Sequence, residues 1–267
     1  MRVVILTSIE QGLASLALDQ LAATPGLEVV EVVLAKQAVA KGWKKLRRQF
    51  LKTRRIGLLG ALVALRMRSW YDEETMAHLN PQPLIRECQR LGIPLTVTPT
   101  TNSEETKARF RAIQADVGLS LGNSYISPAV FGIPRLGMVN SHHEVLPDFQ
   151  GARSVIWQVH EGSVGTGYTI HEIDRQIDTG RILLLKKMPI EFQASLRETV
   201  SWNYARLLSD SVVGLAQVLT DFEATRSQSR PQGAGRSFTS PSYQQYQWML
   251  HQHEMLSRSV RLASGKL

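Results

Sequence analysis

Asn140, His142 and Asp178 carry the side chains that acyl-group chemistry needs. When an amine attacks an acyl carbon, negative charge develops on the acyl oxygen and positive charge on the nitrogen. An amide N–H such as that of Asn140 can meet the oxyanion, and one such donor is typically worth ~3–4 kcal/mol of barrier. His142, with an unperturbed pKa of ~6.5, suits the proton transfer. Asp178 can orient that imidazole without entering the bond-making step. In an extended segment residues two apart point the same way, so Asn140 and His142 enter one cleft while Ser141 faces away. On chemistry alone a transferase, a hydrolase and a metal site all stay open. Adjacent His142, His143 and Glu144 diverge in direction and lack zinc-ligand spacing, so no metal is predicted.

The elements that must position these groups read as an α/β alternation. Val3 to Thr7 and Glu28 to Leu34 are β-branched runs of strand type, and Leu13 to Ala23 between them has helical spacing. That order begins a parallel, doubly wound sheet, in which ligands gather beyond the carboxyl ends of the strands. The absence of GxGxxG or GxxxxGK[ST] after the first strand removes support for a dinucleotide or P-loop site. Further strands are predicted at Leu95 to Thr98, Val117 to Leu121, Gly137 to Asn140, Thr166 to Ile173 and Ile182 to Met188. Helices are predicted at Pro83 to Leu91, from Ser103, and at Ala152 to Glu161. A long amphipathic helix from Leu196 to Phe222 buries Leu196, Val200, Tyr204, Leu207, Leu208 and Leu215. Thr225 to Pro241 reads as a loop or linker and Tyr243 to Val260 as a terminal helix. Gly122-Asn123-Ser124 is a turn-forming stretch, and Asp178-Thr179-Gly180 is a tight turn that aims its carboxylate back toward the sheet edge.

With 267 residues and 43% hydrophobic content the chain can bury a sizeable core. One cysteine, Cys88, excludes a disulfide framework and fits a reducing compartment. The N-terminus lacks the regions of a secretory signal, and the longest apolar run, Ile56 to Leu65, is about half the ~20 residues a bilayer span requires. The net charge of +8 is concentrated. From Lys36 to Arg68 run Lys36, Lys41, Lys44, Lys45, Arg47, Arg48, Lys52, Arg54, Arg55, Arg66 and Arg68, with no acidic residue before Asp72. Nucleic acid is therefore not the expected partner. Trp43, Leu46, Phe50 and Leu51 interleave with these cations, so the stretch is a solvated helix face, an attachment to an anionic membrane surface, or a site for a nucleotide diphosphate or a polymer's phosphates. The expected location is the cytoplasm, with that segment offering contact to the inner face of the membrane.

The segment from Asp116 to Pro189 resembles the folate-dependent formyltransferases, which include methionyl-tRNA, glycinamide ribonucleotide and sugar-nucleotide N-formyltransferases. The resemblance rests on Asn140-Ser141-His142, Leu146-Pro147, Gly151, Thr166-Gly167-Tyr168-Thr169-Ile170-His171 and Asp178-Thr179-Gly180, in that family's order and spacing. It implies a Rossmann-like, mostly parallel sheet with a short C-terminal helical appendage. It also implies a catalytic domain over residues 1–190, interrupted by a basic insertion at 36–70, with residues 191–267 packing on it. Asn140, His142 and Asp178 become the catalytic set, 10-formyltetrahydrofolate the co-substrate, and Leu121, Gly122, Asn123, Ser124 and Tyr125 part of its pocket.

The departures fall on the acceptor side. The usual small pair before Ser-Leu-Leu-Pro is here His143-Glu144-Val145, the common Arg-Gly is Gln150-Gly151, and a frequent proline is Ser154. His143, Glu144, Gln150 and Ser154 are thus the residues expected to face the acceptor. The stretch after the long helix is short for the β-barrel of the methionyl-tRNA enzymes, which favours a small amine, best an amino sugar linked to a nucleotide. Methionyl-tRNA, a hydroxyornithine-type amine, hydrolysis of the donor, and a non-catalytic basic binding protein are the alternatives. His171 with Asp174 is a second imidazole–carboxylate pair, but Asp178 holds the family's turn and Asp174 reads as strand-end polarity. His251 and His253 cannot share a helix face and are expected in solvent. Trp157 and Tyr168 are assigned to packing, and Cys88 to a structural place.

Overall fold

The computed structural model describes residues 1–36, 43–151, 153–263 and 265. Lys41 and Ala152 lie outside the described residues, as do the side chains of Lys44, Lys45, Arg48 and Lys52. In chain order the elements are β1 (Arg2–Thr7), α1 (Leu13–Ala22), β2 (Glu28–Ala35), α2 (Trp43–Arg66), a π-helical turn (Trp70–Glu74), α3 (Thr75–Leu79), α4 (Leu84–Leu91), β3 (Leu95–Thr98), α5 (Glu104–Ile113), β4 (Val117–Ser120), α6 (Pro128–Phe131), β5 (Met138–His142), α7 (Ile156–His160), β6 (Gly165–Glu172), β7 (Ile182–Pro189), α8 (Leu196–Thr220), α9 (Phe222–Ser227) and α10 (Tyr243–Ala263).

The strands form one seven-stranded sheet in the order β3-β2-β1-β4-β5-β6-β7. The first five are parallel, and β6 and β7 add antiparallel at one edge. Strand β1 lies inside the sheet, and its alternate residues feed two cores. Val3 and Ile5 pack with α1, α4 and α8, while Val4 and Leu6 pack with α5 and α6. Burial on both faces is why β1 reads as a continuous apolar run rather than an alternation. The chain reverses its direction of winding between β1 and β4, which opens a crevice at their carboxyl ends.

Helix α8 begins at Ser195, whose hydroxyl accepts from Glu198 N at 3.2 Å and donates to the Glu198 carboxylate at 2.9 Å, an N-terminal cap written as Ser-x-x-Glu. Its stripe of Leu196, Val200, Leu207, Leu208 and Leu215 is buried.

The insertion docks rather than projecting freely. Its helix kinks at Gly57 (φ 76°), and beyond the kink Ala64, Met67 and Trp70 are buried against the core. Tyr71 then meets Tyr204 of α8 edge-on, with ring centroids 5.3 Å apart. Trp43, Leu46, Phe50 and Leu51 are exposed, as are Leu58, Leu59, Leu62 and Leu65. No helix among the described residues is long and apolar enough to cross a membrane.

Two readings of the sequence are corrected. Helix α7 begins at Ile156 rather than Ala152, because Val155 has a φ of 75°, a costly backbone for a β-branched residue, and breaks the helix. His253 is buried and hydrogen-bonds with the Thr199 hydroxyl at 2.7 Å, because α10 lays that face on α8; His251 is exposed. Residues 228–241 form an irregular strap paired to the core: Gln150 N donates to Arg236 O at 2.9 Å and Ile182 N to Arg230 O at 2.8 Å.

Candidate active site

The crevice beyond β1 and β4 is a cleft of about 1090 Å³. One wall is the loop after β1, Ser8 to Leu13. A second is Gly122 to Ile126 after β4, and a third is Asn140 to His143 with His171 and Ile173 to Asp178. Gly122 has a φ of 84°, and a Cβ there would lie 2.8 Å from Ile9 Cδ1, so the turn needs glycine. The loop is pinned by Asn102, which donates to Tyr125 O at 2.8 Å and accepts from Ser127 N at 2.7 Å. Asn123 joins the two strand ends, donating to Leu6 O at 2.6 Å and accepting from Ser8 Oγ at 3.0 Å. Gly122, Asn123, Ser124 and Tyr125 line the cleft. Leu121 does not: it is a core residue whose N–H is spent on Leu6 O.

Asn140 and His142 lie on one face of β5, opposite His171 and Thr169 of β6. His171 Nδ1–H donates to Glu172 O at 2.8 Å, which leaves Nε2 to accept from the Asn140 amide at 3.2 Å. This requires a neutral ring. Burial, and then the neighbouring His142, lower the His171 pKa and keep it neutral. His142 donates from Nε2 to Phe149 O at 3.1 Å, so in the neutral ring Nδ1 is the nitrogen that carries the lone pair. That nitrogen is 3.7 Å from Asp178 Oδ1, which is also 3.8 Å from His171 Nε2.

Asp178 sits at a φ of 55°, a left-handed conformation that Asp tolerates better than most residues. Its other oxygen accepts from Gly151 N at 3.1 Å. Asp174 accepts from Gln176 N at 3.0 Å and from the Thr179 hydroxyl at 2.7 Å, thereby building the turn that presents Asp178. Gly180 closes the turn so tightly that a Cβ would lie 1.7 Å from Glu172 O. Gly180→Ala is expected to cost about 3 kcal/mol of stability by denaturant unfolding, since only a backbone shift relieves that overlap.

The four acceptor-side residues divide. His143 lines the cleft, with Nε2–H donating to Ser211 Oγ at 3.1 Å, because the Ser211 hydrogen goes to Leu208 O at 2.9 Å. Burial, with His142 beside it, drives the His143 pKa down to about 3. Ser154 lines a smaller side cavity, and its hydroxyl donates to His143 O. Glu144 is corrected: it is fully buried, points into the core and receives the Gln158 amide, so it cannot meet an acceptor. Gln150 lines neither cavity. Its backbone is paired to the strap and its amide donates to Asp178 O at 3.4 Å, so it braces the Asp178 turn.

The β1 loop, Tyr71, Asp72, Arg153 and Tyr204 are additions to the site, and His171 enters the sequence analysis only as the imidazole of a possible pair with Asp174. The alternation of β6 puts Thr169 and His171 on one face, and their pairing with His142 and Asn140 of β5 comes from the sheet. Among the described residues no three of His, Cys, Asp and Glu are placed to hold a metal ion.

A family model described as formyl transferase matches residues 1–218. A methionyl-tRNA formyltransferase of Bradyrhizobium sp. is 34% identical over 113 residues, 42% of this chain and 36% of that protein. One of Synechocystis sp. is 29% identical over 177 residues, 66% of this chain and 52% of that protein. The chain thus spans about a third to a half of the length of the curated relatives it matches. Among solved structures, glycinamide ribonucleotide transformylase 1 from Symbiobacterium toebii has a TM-score of 0.57 at 14% identity, covering 87% of this chain and 94% of that one. A sugar N-formyltransferase from Shewanella sp. has a TM-score of 0.54 at 13% identity, covering 95% of this chain and 87% of that one. At such identities the likeness is one of fold, whereas the family model matches most of the sequence: the chain belongs to the formyl transferase family.

Proposed function

We propose that this protein is an N-formyltransferase that moves a formyl group from 10-formyltetrahydrofolate to a primary amine. The observation that carries the reading is that Asn140, His142 and Asp178 and the Gly122–Ile126 loop line one and the same cleft. The volume suits a folate-sized ligand, and the Gly122 turn keeps side-chain bulk from its wall. The donor supplies an activated formyl carbon. Asn140, with one N–H held by His171, offers its second to the oxyanion. His142 takes the proton of the attacking amine on Nδ1 and returns it to the departing folate nitrogen, while Asp178 balances the imidazolium. The new bond is amine nitrogen to formyl carbon, and the broken bond is formyl carbon to folate nitrogen.

The acceptor we propose is an amino sugar linked to a nucleotide. Support comes from the departures at His143 and Ser154, and from the sugar N-formyltransferases among proteins of this fold. Methionyl-tRNA is the second reading, favoured by the sequence relatives. The test is binding of a folate analogue, followed by formyl transfer to nucleotide-linked amino sugars and to methionyl-tRNA. Saturable analogue binding and faster transfer to the amino sugars are expected. Preferential transfer to methionyl-tRNA would replace the acceptor, formate release without any amine would make the protein a hydrolase, and neither binding nor turnover would end the reading.

A further inference from the structure

Beside His142 a second chamber of about 280 Å³ opens, bounded by Arg68, Tyr71, Arg153, Ser154 and Tyr204. It shares Tyr71, Asp72, His142, His143 and Tyr204 with the large cleft, so the two spaces meet at the imidazole. The chamber is far too small for a folate but has room for an oxyanion and a few atoms that carry it.

Its charges are unusual. The Arg153 guanidinium lies over the Tyr71 ring, 5.2 Å from the centroid, and its Nη1 is buried without a hydrogen-bond partner. Among the described residues neither Arg153 nor Arg68 is within ion-pair distance of a carboxylate. The buried carboxyl nearest in sequence, Glu144, is turned to Gln158 and is pushed by burial toward its neutral form, so it does not balance Arg153. Asp72 is the one acid in the chamber wall, against two arginines. A guanidinium nitrogen buried without an acceptor, as Arg153 Nη1 is, loses its solvation and gains nothing in return, and an arriving oxyanion restores that loss with a charge-assisted hydrogen bond.

The framework is rigid. The Tyr71 hydroxyl donates to Ser154 O at 2.8 Å, and its ring is backed edge-on by Tyr204, which in turn meets His143 at 5.6 Å. Arg68 is brought there by the docked insertion, and Arg153 by the loop after Gly151.

We propose that this chamber is the acceptor's anion subsite: Arg153, with Arg68 at its mouth, holds a phosphate or carboxylate group of the amine substrate, leaving the amine beside His142. The substrate class is then an amine that carries an oxyanion. Its role as an acceptor subsite rests on the formyl-transfer reading, whereas the anion site itself does not.

The test titrates the full chain with pyrophosphate and with acetate by calorimetry, with and without a folate analogue. Arg153→Gln is expected to weaken binding of the preferred anion tenfold or more, Arg68→Gln threefold or more, and Arg153→Lys by less than Arg153→Gln. Arg111→Gln on α5, which lines neither cavity, should bind like the wild type. Stronger binding of pyrophosphate identifies phosphate as the group recognised, and stronger binding of acetate identifies a carboxylate. Equal binding by wild type, Arg153→Gln and Arg68→Gln, or no saturable binding, overturns the subsite. Should Arg153→Gln fail to fold, Arg68→Gln and Arg153→Lys decide alone. A folate analogue that binds while the anions do not refutes the subsite alone. Arginine-dependent anion binding without folate binding keeps the anion site and refutes formyl transfer.

Discussion

Asp178→Asn is expected to slow formyl transfer roughly 10³-fold with the fold retained, the middle of the range for losing positioned acid–base catalysis. The replacement is nearly isosteric and can still accept from Gly151 N, so the turn set by Asp174 and Gly180 should survive. The charge does not. His142 turns Nδ1 toward Asp178 Oδ1 across 3.7 Å, because its other nitrogen is committed to Phe149 O. A proton taken up there faces a carboxylate in the native protein. In the variant it faces either a neutral oxygen or an N–H that competes for the same lone pair. His142→Ala should cost a similar factor, and the double variant little more than either single one, because the two residues act as a unit. Single-turnover rates at saturating donor, read beside circular dichroism spectra, check this. Near-normal rates in either variant, or losses that multiply in the double variant, would remove these residues from their roles.

How much of this was legible in the sequence depended on whether a feature is local. Strands β1 to β4 were visible because β-branched runs between turn residues state their own conformation. Asn140 and His142 were visible as a pair because their shared face follows from strand geometry. The antiparallel turn of the sheet at β6 was not visible, since alternation reveals period but never direction. Glu144 was misjudged for a related reason. Its neighbour His143 does face the cleft, but the chain leaves β5 after His142, and the Thr169 hydroxyl, donating to Glu144 O at 2.7 Å, helps hold this residue inward. His253 shows the same limit from the other side, because which face of α10 is buried depends on α8. The second chamber is the least local feature of all: it joins the insertion, the loop after Gly151 and α8.

Among the groups through which stability should respond to pH, two adjacent ones, Glu144 and His143, pull in opposite directions. Glu144 is fully buried, and its pKa is raised well above the ordinary carboxyl value, chiefly by burial. The Gln158 amide donates to one of its oxygens, while Glu144 Oε1 and Gln158 Oε1 are left as two acceptors without a donor. A proton on Glu144 is the donor that this pair lacks. The folded state therefore holds a proton that the unfolded chain releases above about pH 4.3. Stability from Glu144 is full below that pH and falls by up to about 1.4 kcal/mol per unit as pH rises toward the folded pKa. His143 works the other way. Its folded pKa is about 3, against about 6.5 when unfolded, so its contribution is full above pH 6.5 and is lost as pH falls toward 3. Between about pH 4.5 and 6.5 the two slopes oppose each other; above 6.5 only Glu144 remains. Glu144→Gln, which is neutral at every pH, should thus lose the alkaline decline and expose the acid-side loss to which His143, His171 and His253, all with lowered pKa values, contribute. Urea unfolding from pH 5 to 8 separates these terms. If wild type and Glu144→Gln run parallel above pH 6.5, Glu144 is ionised in the folded protein, and the neutral carboxyl–amide pair does not exist.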